Sequence, residues 1–174
     1  MKLISEQKVL GYLQELISDL KSEITEKYEH RAKNCLTCET QGACCLDAHF
    51  VNVHISRLEA VAIQKSLNEL PQQKQHEINA RIDAAIEKYA LTTESDTYAQ
   101  TYACPLFEKG TGCLVHKTGK PVPCIMHACY ERKADLPPDE LQTRAEKQIE
   151  NLNMRTYGRA RPLLPLPLAL RQNR

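Results

Sequence analysis

Eight cysteines gathered in two places constrain this chain more than any other feature. Cys35, Cys38, Cys44 and Cys45 form a C-x2-C-x5-C-C run. Cys104, Cys113, Cys124 and Cys129 follow after a long interval. Two thiolates two residues apart converge on one ion only from a tight turn, so the first run predicts irregular backbone shaped around sulfur. The adjacent pair Cys44-Cys45 is different. Consecutive side chains diverge in regular backbone, so both reach one site only if the chain bends there. In the second cluster, Cys124 and Cys129 lie five apart, about 140° around an ideal helix. They share an ion only if a helix starts or ends between them. Neither cluster is complete as one local turn, which predicts that both converge on a common site.

What the thiols do depends on compartment. The segment Met1 to Leu20 has polar residues between its apolar ones, and no secretory leader is read there. No run of about 18 apolar residues is present, so no membrane-spanning helix is expected. A cytoplasmic location follows as the expectation, and in a reducing compartment clustered thiols bind metal rather than pair as disulfides. Eight inert buried cysteines would not need such spacing. The expected ligands are therefore Cys35, Cys38, Cys44, Cys45, Cys104, Cys113, Cys124 and Cys129. The expected cofactor is zinc or iron, the latter as an ion or as a 4Fe-4S iron-sulfur cluster, since thiolates suit each. His116 and His127 stand inside the second cluster as candidate nitrogen ligands, and Asp47 and Glu108 as candidate oxygen ligands. His30, His54 and His76 are expected to face solvent.

Composition removes other classes. Lys and Arg total 23 against 22 Asp and Glu, so no net field draws nucleic acid or an anionic membrane. Trp is absent and Phe occurs twice, leaving few platforms for base stacking. Nucleic acid is disfavoured as a partner.

The fold class expected is mainly α: a small helical domain over 1–158 with two irregular cysteine-rich segments at 35–45 and 104–129. An N-terminal helix is expected at about 3–33, with Leu10, Leu13, Ile17, Leu20, Ile24 and Tyr28 on one stripe. That stripe suits packing in its own domain, and alternatively a short homodimer seam. Ser56-Arg57-Leu58-Glu59 reads as a capping box, opening a helix from Arg57 to Leu70 before Pro71. Further helices are expected from Gln73 to Leu91, Cys124 to Arg132 and Asp139 to Met154. Lys109 to Gly112 reads as a turn. The basic tail 159–174 interleaves Pro162, Pro165 and Pro167 with leucines, and proline argues against a regular helix through Pro167. It is expected to lie as an extended strap over apolar surface, with docking to a protein partner as the alternative.

Several of these residues also carry a resemblance. Cys35-Leu36-Thr37-Cys38, Cys44-Cys45, Cys104-Pro105-Leu106, Gly112-Cys113-Leu114-Val115-His116 and Lys120-Pro121-Val122-Pro123-Cys124 resemble the YkgJ-type cysteine-cluster family, described as zinc- or iron-chelating. The likeness spans Cys35 to Cys129. It departs from the family in having five residues rather than four before Cys44, His116 where Tyr is frequent, and Lys120 in place of Arg. The Cys113 to Cys124 segment is one residue longer. Flagellin lysine methylases are similar in the cysteine motif, and that resemblance implies an iron-sulfur cluster. No glycine-rich nucleotide loop accompanies it here. Three functions remain open: a metal-binding protein, an iron- or cluster-dependent redox or protein-modification enzyme, and a structural zinc module that presents its tail to a partner.

Overall fold

The computed structural model describes residues 3–33, 39, 41–46, 51–94, 97–127 and 130–174. The chain is mainly helical, as its periodicity predicts. Helix α1 runs Glu6–Lys27, α2 Arg57–Asn68, α3 Gln72–Lys88, α4 Val122–Met126, α5 Asp139–Tyr157 and α6 Leu166–Arg171. Two short antiparallel strand pairs and several 3-10 turns complete the described secondary structure. Strand β1, His54–Ile55, pairs with β4, Leu164–Pro165, while β2, Phe107–Glu108, pairs with β3, Gly112–Cys113.

The apolar side chains form two clusters, and α2 separates them. On one side, Val9, Leu13, Leu20 and Ile24 of α1 pack with Val122, Ile125 and Met126 of α4 and with Leu141, Ala145, Ile149 and Leu152 of α5. Leu58 of α2 faces this cluster. On the other side, Ala60, Ile63 and Leu67 of α2 meet Ile78, Ile82 and Ile86 of α3 and the leucines of α6. The α1 stripe thus spends itself within its own chain, with Val9 rather than Leu10 as its first core residue. The surface that would have formed a dimer seam is covered by α4 and α5.

Helix ends follow local chemistry. Ser56 Oγ accepts the Glu59 N–H at 3.2 Å, and the Glu59 carboxylate accepts the Ser56 N–H at 2.9 Å, so the capping box is formed as expected. Glu59 also reaches out of α2, where its Oε1 accepts the Val122 N–H at 3.4 Å. One buried carboxyl therefore ties the start of α2 to the start of α4. Helix α5 runs three residues beyond Met154 and stops at Gly158, whose φ of 72° is the left-handed C-cap that glycine adopts without strain.

The tail corrects the expectation from its prolines. Residues 159–163 run without regular structure, but Leu166–Arg171 is a helix with Pro167 in its first turn. Proline is tolerated there because the N–H it lacks would have had no partner in the helix. Leu166, Leu168, Ala169 and Leu170 are buried against α2 and α3, so the strap is part of the core. Tyr102, fully buried, pins it. Its hydroxyl donates to Val53 O at 2.5 Å and accepts the Leu166 N–H at 3.2 Å.

His54 is a second correction. It is buried in β1, and its ring stacks on Tyr98 with centroids 4.0 Å apart. The weak alternation of Phe50-Val51-Asn52-Val53 in the sequence reads as a short extended segment. The strand lies one step later, at His54–Ile55, and Phe50 lies outside the described residues. No helix among the described residues is long and apolar enough to cross a membrane.

Candidate functional site

Cys44 and Cys45 sit in a single 3-10 turn, Ala43–Cys45, closed by the Cys45 N–H donating to Gly42 O at 2.7 Å. Gly42 enters that turn at φ 79°. A Cβ there would fall within the Phe107 ring, so only glycine admits this approach. The bend separates the adjacent pair: Cys44 is exposed and Cys45 half-buried.

Phe107 belongs to the second cluster. The segment Cys104 to Phe107 is a turn in which the Phe107 N–H donates to Cys104 O at 3.2 Å, and β2 and β3 then form a hairpin that carries Cys113. Lys109 to Gly112 makes its connection, as the sequence predicts. Cys124 lies on α4, which ends at Met126, between Cys124 and Cys129. Cys129 lies outside the described residues. The α4 helix is shorter and earlier than the expected Cys124 to Arg132, because Pro121 and Pro123 set its first turn.

The two clusters meet. The Cys104 N–H donates to Cys45 O at 2.9 Å, and the Phe107 ring covers Gly42. Five described cysteines, Cys44, Cys45, Cys104, Cys113 and Cys124, are drawn from both clusters, and none is in a disulfide. Their thiols feel one another. Cys45 is held protonated far above the usual thiol range, first by its hydrogen bond with Cys44 and then by burial, with Cys104 and Cys124 adding like-charge repulsion. Burial pushes Cys104 up to about 12, and Cys113 adds to it. Burial, then Cys104, raises Cys124, and burial raises Cys113.

Opposing contributions are also built in. The backbone N–H groups of Leu106 and Phe107 donate to the Cys104 sulfur, and that of Val115 to the Cys113 sulfur, each favouring the thiolate. Lys120 and Lys21 pull the Cys113 thiol down, and Arg81 pulls down Cys104. Arg81 reaches from α3 to donate to Phe107 O at 3.3 Å, while its Nε and Nη2 are buried without a partner. Lys21 reaches from α1 to the carbonyls of His116 and Lys117, both at 3.2 Å. Three helices and the loop before α4 thus supply either thiols or cations to one neighbourhood.

His116 and His127 are exposed. Glu108 is engaged by Lys74 at 2.5 Å, which lowers its carboxyl pKa. Cys35, Cys38, Cys129 and Asp47 lie outside the described residues. Among the described residues, no three of His, Cys, Asp and Glu are gathered into a group that could hold a metal ion. Sequence reasoning missed Gly42, Phe107, Arg81, Lys21 and Lys120. Only Gly42 had a local signal, as a glycine two residues before a cysteine pair. Phe107, Arg81 and Lys21 act across long sequence separations, whereas Lys120 acts on Cys113 and Cys124 from within its own cluster.

No protein-family model, curated protein or solved structure matches the chain.

Proposed function

We propose that this chain is a metal-binding protein of the YkgJ cysteine-cluster type, holding zinc or iron through thiols from both clusters. The observation that carries the reading is the meeting of the two clusters: the Cys104 N–H donates to Cys45 O at 2.9 Å, and Cys44, Cys45, Cys104, Cys113 and Cys124 share one electrostatic neighbourhood, in which neighbouring thiols add to the resistance to ionisation that burial imposes. A bound cation offsets the repulsion that thiolates packed this way would feel once their protons are released.

The donor set fits such a group in kind. Thiolates suit zinc, iron and iron-sulfur clusters, and the N–H groups directed at Cys104 and Cys113 would stabilise them as ligands. The described residues gather no three ligands for its coordination sphere. Cys35, Cys38 and Cys129 are the thiols assigned to complete it. A structural zinc site supplies folding free energy, about 10 kcal/mol in small domains, whereas an iron-sulfur cluster adds electron transfer or radical chemistry. Thiols outside disulfides at every described cysteine support a reducing compartment, and we place the protein in the cytoplasm.

Anaerobic purification with metal analysis and a visible spectrum tests the reading. Stoichiometric zinc in a colourless protein, or iron with acid-labile sulfide in a brown one, supports it and chooses between them. Cys35→Ser/Cys38→Ser and Cys104→Ser should each lose the metal. A protein with no bound metal under these conditions sinks the proposal. Full stoichiometry in the Cys35→Ser/Cys38→Ser variant would show that the clusters do not share one centre.

A further inference from the structure

Helix α4 borders a cleft that the cysteine chemistry does not use. Its volume is about 340 Å³, and it lies between α4, the start of α2, one face of α5 and segment 159–163. Small-molecule sites run from about 300 to 1,000 Å³. Pro123, the neighbour of Cys124, forms part of its wall, with Ile149, Met154 and Leu163 as further apolar lining. Arg57, Arg159 and Arg161 line the same cleft. A second cavity of about 240 Å³ is also lined by Arg57 and Arg161, so these two stand where the spaces adjoin.

Arg132, Arg144 and Arg174 each hold a carboxylate at 3.0 Å or closer. Among the described residues, Arg57, Arg159 and Arg161 hold none. The Arg57 guanidinium is held 4.0 Å over the Tyr157 ring, and its buried Nε has no hydrogen-bond partner. A buried unpaired donor is costly, and more so on a charged group. The carboxyls of the cleft do not relieve it. Glu59 accepts from Ser56 and Val122, Glu146 accepts from Gln142 at 2.7 Å, and Glu150, the third carboxyl of the cleft, forms no ion pair with an arginine among the described residues. Guanidinium forks match the two oxygens of a carboxylate or phosphate, and stacking on an aromatic ring fixes their plane in advance.

We propose that this cleft binds a small organic oxyanion, its carboxylate or phosphate group held by Arg57 and Arg161 and its apolar body lying against Ile149, Met154 and Leu163. The site is independent of whether the cysteines hold metal, although α4 places it one residue from Cys124.

Calorimetric titration of the full chain tests this with phenyl phosphate and phenylacetate as probes, and with inorganic phosphate and benzyl alcohol as comparisons. At least one of the two organic anions should saturate a single site, more tightly than either comparison, and the tighter of them identifies the headgroup. Arg161→Gln and Arg57→Gln should each weaken that binding by roughly tenfold or more, while Lys117→Gln, a remote exposed cation, should leave it unchanged. Arg161 is exposed, so its variant keeps the fold and decides the matter if Arg57→Gln does not fold. Absence of saturable binding by both organic anions, equal binding of benzyl alcohol, or unchanged affinity in Arg161→Gln overturns the proposal.

Discussion

Replacing Gly42 by alanine tests how the two cysteine segments are held together. Two costs add. At φ 79° an alanine occupies the left-handed region, which costs about 1–2 kcal/mol. The new methyl also falls within the Phe107 ring, so that ring or the turn must move. Forced repacking of this kind costs about 1–3 kcal/mol. Reduced freedom of the unfolded chain returns about 0.4–1 kcal/mol. Gly42→Ala should therefore destabilise by about 2–4 kcal/mol, a large share of the total for a domain of this size. Phe107 is only half-buried, so Phe107→Ala alone should cost about 2 kcal/mol, less than truncating a core phenylalanine. In the double variant the overlap is gone and only the backbone cost remains. The two effects should fall short of additivity by about 1–3 kcal/mol. Urea denaturation followed by circular dichroism measures all three variants. A Gly42→Ala cost under about 0.5 kcal/mol, or additivity within about 0.5 kcal/mol, would refute the contact as the clasp between the clusters.

Three further outcomes are expected. Tyr102→Phe removes the hydroxyl that serves Val53 O and the Leu166 N–H, and should cost about 1–3 kcal/mol in the same urea assay. Leu168→Ala should cost about 2–5 kcal/mol, and truncation after Arg161 should abolish the cooperative transition, because Leu166, Leu168 and Leu170 belong to the core. Normal cooperative unfolding of the truncated chain would mean that the tail is dispensable. Burial raises the Glu59 carboxyl above its usual 4.5. The folded state then holds a proton that the unfolded chain has released. Its contribution is complete below the unfolded pKa and is lost as pH rises through the folded value. Stability measured across that window should fall with pH in the wild type and fall less in Glu59→Gln. Parallel profiles would show that Glu59 is not the titrating group.

Much of the helical frame was legible in the chain. The stripe through Leu13, Leu20 and Ile24, the set Ile78, Ile82, Ala85 and Ile86, and the Ser56–Glu59 box act within one or two turns, where sequence spacing is spatial spacing. The tail was less legible. Pro167 signals only what backbone it forbids, and whether a helix may begin at its position depends on the surface that α2 and α3 offer to Leu168 and Leu170. His54 looked like a polar residue beside a helix. Its burial comes from pairing with Pro165 and stacking on Tyr98, partners far away in sequence.

The sequence alone determined that the thiols come in two sets, because cysteine spacing is a local property. It also determined that the frame around them is helical. Tertiary structure alone decided that Cys45 and Cys104 lie back to back through a backbone hydrogen bond, and that Arg81, Lys21 and Lys120 face the sulfurs. It alone set Arg57 and Arg161 around one cleft. Those relations join residues whose chain separation carries no periodicity. They are fixed by how two apolar clusters close on either side of α2, and no local pattern encodes that closure.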